Sequence, residues 1–70
     1  MVQEQPQDLN DARYHTQNTL KRLKVEIDEL RTAINQVDEP QFKATAETAA
    51  EVLGGLGRAF VDYEQKIWGT

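Results

Sequence analysis

Apolar residues recur at heptad spacing through the first half of the chain. From Leu20 they stand at alternating intervals of three and four residues up to Val37, and residues 8–37 contain no Gly or Pro. This alternation places the side chains along one face of a helix, at the a and d positions of a coiled coil. It predicts one long helix over residues 8–37, with Asp8 or Asn10 as the candidate N-cap. The seam of this helix contains Leu20, Leu23, Ile27, Leu30 and Ile34.

A second helix is predicted to follow Pro40. Proline disfavours helix at the residue before it and suits the first turn of a new helix, so we expect a turn at 38–40 and a helix over 41–68. Asp38 and Gln41 have the spacing of a capping box. The connection is short, which makes the two helices antiparallel neighbours. The apolar seam of the second helix is Phe42, Ala46, Ala49, Leu53, Leu56, Phe60, Tyr63 and Ile67.

Three glycines, Gly54, Gly55 and Gly57, fall in the middle of this second segment. Because the apolar spacing continues through them, we predict a continuous helix, with a hinge between two shorter helices as the alternative. A flexible segment in which the glycines have no packing role also stays open. A nucleotide-binding loop is disfavoured, since no strand precedes the glycines and their spacing does not match a phosphate-binding motif.

A stripe of mostly small residues lies beside the predicted seam of the second helix. Small side chains allow another helix backbone to approach closely, and a tryptophan at the end of such a stripe is typical of an interface anchor. We therefore predict that this stripe contacts another chain. Its members are Ala46, Ala50, Gly54, Gly57, Val61 and Trp68.

The chain has 70 residues and no cysteine, which excludes disulfides and thiolate–zinc sites. Residues 1–7 are polar and predict a flexible tail, leaving 8–70 as a single domain. A lone core of this size supplies only about 3–5 kcal/mol of stability. The sequence therefore predicts an all-α antiparallel hairpin that assembles into a four-helix bundle as a homodimer. A small subunit that is stable only within a larger complex is the alternative.

The composition disfavours catalysis and most ligand classes. The chain has no serine and a single histidine, His15, so we expect no enzyme activity, no metal site and no cofactor. A net charge of −4 disfavours nucleic acid and anionic membranes as partners. The opening MVQEQPQ lacks the features of a signal peptide, and the most apolar window, 44–61, contains charged residues. We expect no membrane span and a cytoplasmic location.

The stretch LNDARY at 9–14, with Thr19 and Leu20 after it, resembles the first helix of Rop-type RNA-binding hairpins. The resemblance covers about a dozen positions and implies a dimeric four-helix bundle. It also implies RNA contacts at Asn10, Tyr14 and Lys21. The sequence departs from the family pattern at Glu26, where the family buries a seam residue. The small-residue stripe and Trp68 of the second helix predict a non-enzymatic protein–protein interaction protein that acts as a homo-oligomer. Rop-like RNA binding through the first helix, or a small subunit that is stable only within a larger complex, is the alternative.

Overall fold

The computed structural model describes residues 11–69, which form two α-helices. The first helix, α1, spans Ala12–Gln36, and the second, α2, spans Pro40–Trp68. The two helices pack against each other along their length as a hairpin. The all-helical hairpin predicted from the sequence is confirmed.

Asp11 sets the beginning of α1. Its backbone is extended, and its side-chain oxygen Oδ1 accepts hydrogen bonds from the backbone N–H groups of Arg13 and Tyr14, at 3.0 and 3.1 Å. These bonds satisfy two of the amide donors that have no partner inside the first turn. The N-cap is therefore Asp11 and not Asp8 or Asn10, and the helix begins at Ala12 instead of residue 8. Residues 1–10, including the predicted tail, lie outside the described residues.

The connection between the helices consists of residues 37–39. Val37 ends α1 in an extended conformation, and its N–H donates to the carbonyl of Ala33 at 3.0 Å. Glu39 is also extended and caps α2, since its Oε1 accepts from the N–H of Phe42 at 2.9 Å. The capping residue is thus Glu39 and not Asp38, because Pro40 occupies the first helical position.

The glycines lie inside α2, which has no break between Pro40 and Trp68. The helix ends at Gly69, whose φ of 76° is in the left-handed region. In this conformation the N–H of Gly69 donates to the carbonyl of Gln65 at 3.0 Å. Glycine adopts this conformation without the steric penalty of a Cβ atom, which explains the end of the helix at this residue.

A membrane-crossing helix requires about 20 mostly apolar residues. Within residues 11–69, neither helix has a stretch that is both long and apolar enough to meet that requirement.

Candidate interaction surface

The small residues of α2 make the contact between the two helices. Ala46 and Ala50 are buried in the single chain, and they are its buried apolar residues within the described range. A methyl group placed on Gly57 would lie 3.9 Å from Cδ2 of Leu20 on α1. Small side chains on one helix allow the larger side chains of its neighbour to approach the backbone. The neighbour that approaches Ala46, Ala50 and Gly57 is therefore α1 of the same chain. The sequence predicts this contact for Ala46 as a member of the seam, whereas for Ala50 and Gly57 it predicts only a contact with another chain.

Gly54 and Val61 lie at the edge of this contact. They border an open groove with Gly57 on α2, and α1 contributes Leu20, Leu23 and Ile27 to the same groove. A methyl group placed on Gly54 would meet only the guanidinium of Arg58, at 3.8 Å. Gly54 is thus not in close contact with α1, and its missing side chain leaves space on the surface of the hairpin.

Alanine at Gly54 is expected to stabilise the chain, whereas alanine at Gly69 is expected to destabilise it. Glycine in a helix interior costs about 0.5–1 kcal/mol relative to alanine, and the space at Gly54 accepts a methyl group. At Gly69 the same substitution forces a Cβ into the left-handed region, at a cost of about 1 kcal/mol. Thermal unfolding followed by circular dichroism measures both changes. Equal effects of the two substitutions would contradict the assignment of Gly54 to a helix interior and Gly69 to its cap.

Aromatic residues and one arginine close the open end of the hairpin. The guanidinium of Arg13 lies over the ring of Trp68, 5.2 Å from its centroid. Tyr63 meets the same indole edge-to-face, with ring centroids 5.5 Å apart. Trp68 thus contacts Arg13 of its own α1, whereas the sequence predicts a contact with another chain. A cation over an aromatic face contributes about 0.5–1 kcal/mol at a site of this kind.

The predicted core is only partly enclosed. Within residues 11–69 no large side chain is fully buried. Two predicted core residues of α2, Leu56 and Ile67, are 49% and 54% exposed. The other predicted core residues are half-buried between the helices: Leu20, Leu23, Ile27, Leu30, Ile34, Phe42, Leu53 and Phe60.

The exposure of Leu56 and Ile67 corrects their assignment to the hairpin contact. Leu56 directly precedes Gly57, and consecutive residues of a helix are about 100° apart around its axis. With Gly57 facing Leu20, Leu56 lies to one side of the contact. The predicted seam of α2 combined residues from two neighbouring faces, one packed against α1 and one largely exposed in the single chain.

We call the second, largely exposed face of α2, which runs from Thr45 to Ile67, the apolar stripe. Of its members, Val52 is 57% exposed, and Tyr63 is also exposed. None of its residues is charged, and their spacing is four, three, four, four, three and four residues. This spacing was present in the sequence and could have identified the stripe, but the stripe shares five positions with the predicted seam. The stripe comprises Thr45, Ala49, Val52, Leu56, Phe60, Tyr63 and Ile67.

Comparison with protein-family models, curated proteins and solved structures found no match.

The outer side of α1 carries the residues implied by the Rop-type resemblance. Tyr14 and Lys21 border one shallow depression together with Gln17 and Asn18. Asn10, the third implied RNA contact, lies outside the described residues. Binding to a nucleic-acid backbone depends on several cationic side chains that track the phosphates. Lys21 is the one cationic residue bordering this depression.

Titratable residues of the described chain are spread along the exposed sides of both helices. No group of three or more His, Asp or Glu residues within 11–69 is arranged so that it could hold a metal ion. Lys24 and Asp28 form an exposed ion pair with an N–O distance of 3.7 Å, one helical turn apart. Such a pair contributes a few tenths of a kcal/mol to helix stability. The apolar stripe is thus the surface of the hairpin on which a functional proposal can be based.

Proposed function

We propose that this chain is a non-enzymatic protein–protein interaction protein that acts as a homo-oligomer, most simply as a homodimer of hairpins in a four-helix bundle. The observation that carries the proposal is the apolar stripe on α2, of which Val52, Leu56 and Ile67 are about half exposed in the single chain. Monomeric proteins rarely expose contiguous apolar surface of more than a few hundred Å². A second chain that covers the stripe would give the hairpin the enclosed core that it lacks alone.

The energetics support this proposal. Full burial of a Val, Leu, Ile or Phe side chain contributes about 1.5–3 kcal/mol. Val52, Leu56 and Ile67 each leave about half of their surface exposed, so covering them adds about 1 kcal/mol per side chain. The total for the stripe is comparable to the whole stability expected of a lone core of this size, about 3–5 kcal/mol. Association and folding are therefore expected to be coupled.

The absence of charge along the stripe also supports an interface. Charged residues are depleted at the centres of protein interfaces, because burying an unpaired charge is costly. The charged residues of α2 that surround the stripe, such as Glu51, Asp62 and Lys66, lie on its outer side and not within it. Two copies can thus bring their stripes together without removing a charge from water.

Sedimentation equilibrium and thermal unfolding test the proposal together. At micromolar concentrations we expect a mass of twice the 8.0 kDa of the chain, and a melting temperature that rises with protein concentration. A cooperatively melting species of 8.0 kDa whose melting temperature does not depend on concentration would contradict it. A monomer with little helix would instead favour the alternative, a subunit that folds only within a larger complex.

A further inference from the structure

We propose that the partner of the apolar stripe is the same stripe of a second copy, with the two α2 helices antiparallel and Leu56 on the two-fold axis between them. This inference rests on the proposed homodimer and adds to it the surface, the direction and the register of the contact. A two-fold axis requires a self-complementary surface, in which residue i contacts residue j and j contacts i. The stripe meets this requirement in its spacing and in the sizes of its residues.

The spacing of the stripe is symmetric about Leu56. Going outward in either direction, the next members follow at intervals of four, three and four residues. An antiparallel pair centred on Leu56 therefore brings every member of one stripe opposite a member of the other. The pairs are Leu56 with Leu56, Val52 with Phe60, Ala49 with Tyr63, and Thr45 with Ile67.

The sizes of the paired residues are complementary. The half of the stripe before Leu56 carries Thr45, Ala49 and Val52, whereas the half after it carries the larger Phe60, Tyr63 and Ile67. In the antiparallel pair each larger residue faces a smaller one. Interiors are close-packed, and facing layers fill space best when large and small side chains alternate across the contact. The antiparallel register centred on Leu56 thus aligns the members of the two stripes and also places large residues opposite small ones.

A parallel pairing of the two stripes does not fill space in this way. It brings Tyr63 against Tyr63 and Ile67 against Ile67 at one end, and Ala49 against Ala49 at the other. The large residues crowd the helices at the end with Tyr63 and Ile67, and the small residues leave a gap at the end with Ala49. Both crowding and gaps are costly in a packed interface.

The other helix of the partner, α1, is a poorer occupant of the stripe. On the side of α1 that borders the same face of the hairpin, His15 and Thr19 line a depression with Phe60 and Tyr63 of α2. Seven residues after each of these, at the equivalent helical positions, α1 carries the charged Arg22 and Glu26, both exposed. Placing the stripe against this side would bury charges opposite apolar residues, whereas pairing α2 with α2 does not.

Single cysteines test the register directly, because the chain has none of its own. Three variants of the 70-residue chain are compared under mild oxidation after sedimentation has established their mass: Leu56→Cys, Tyr63→Cys and Asp62→Cys. A disulfide requires Cα atoms about 4.4–6.8 Å apart. We expect rapid covalent dimerisation of Leu56→Cys, at least tenfold faster than that of Tyr63→Cys or of Asp62→Cys, the control on the outer side of α2. A mixture of Ala49→Cys and Tyr63→Cys, unfolded and refolded together, is expected to form the mixed disulfide, identified by its mass.

The outcomes separate this inference from the proposal on which it rests. If Tyr63→Cys alone dimerises as fast as Leu56→Cys, the helices are parallel and the inference is wrong, while the homodimer stands. A protein that sediments as a dimer but gives no disulfide from Leu56→Cys or the mixture pairs through another face, which also overturns the inference. A wild-type chain that sediments as a folded monomer overturns both.

Discussion

Replacing Leu56 by aspartate is expected to convert the dimer into monomers at micromolar concentrations. In the antiparallel pair the substitution places two carboxylates against each other at the two-fold axis, away from water. The effective penalty for burying an ion is several kcal/mol, and every 1.4 kcal/mol changes a dissociation constant about tenfold. We therefore expect the dissociation constant to rise by at least about 1,000-fold, together with a lower melting temperature. Sedimentation equilibrium over a range of concentrations measures the effect.

Val25→Asp is the matched control for this substitution. Val25 is 53% exposed in the single chain, close to the 49% of Leu56, but it lies on α1 and away from the apolar stripe. Its replacement introduces the same charge at the same degree of exposure, so we expect the dimer to persist. If the two variants dissociate alike, the effect comes from charge or helix propensity, and the assignment of the interface to the stripe is wrong.

Replacing Ala50 by leucine is expected to lower the melting temperature by about 5–20 °C. Ala50 is buried where α2 contacts α1, and the additional carbon atoms have no space between the helices. Inserting methylene groups into a packed contact costs about 1–3 kcal/mol, and 1 kcal/mol shifts the melting temperature of a domain of this size by about 4–8 °C. Thermal unfolding followed by circular dichroism measures the change.

Ala44→Leu provides the comparison, since Ala44 is exposed on the outer side of the same helix. Alanine and leucine have similar helix propensities, so the substitution there should change the melting temperature little. Equal destabilisation by the two variants would contradict the finding that α1 and α2 meet at the small residues of α2.

The hairpin could be predicted from the sequence because several local signals agree. The heptad spacing from Leu20 to Val37 specifies a helix with one apolar face, and Pro40 both disfavours the continuation of α1 and suits the beginning of α2. The N-caps were harder to predict. Acidic or amide side chains occur at several neighbouring positions, and any of them can accept a hydrogen bond from a helix N-terminus. The structure selects Asp11 and Glu39 from these candidates.

The rotation of α2 about its axis could not be predicted in the same way. Apolar residues cover more than one side of this helix, so spacing alone does not decide which side faces α1. The spacing of three and four residues puts Leu56 in the predicted seam, together with Ala46 and Ala49. In the hairpin Leu56 lies to one side of the contact, because Ala46, Ala50 and Gly57 allow α1 to approach more closely than leucine would. The apolar stripe is the surface that this rotation leaves uncovered.

The position of Trp68 has a consequence for spectroscopy. It is the only tryptophan of the chain, and its indole lies between the guanidinium of Arg13 and the ring of Tyr63 at the open end of the hairpin. Selective excitation of the indole therefore observes this one cluster in the unmodified protein. Because the indole contacts Arg13 of α1, its emission follows the separation of α1 from α2, and through Tyr63 of the apolar stripe it also responds to the separation of the chains, which sedimentation measures on its own. Dilution monitored by both signals gives the order of the two events without an added dye or label.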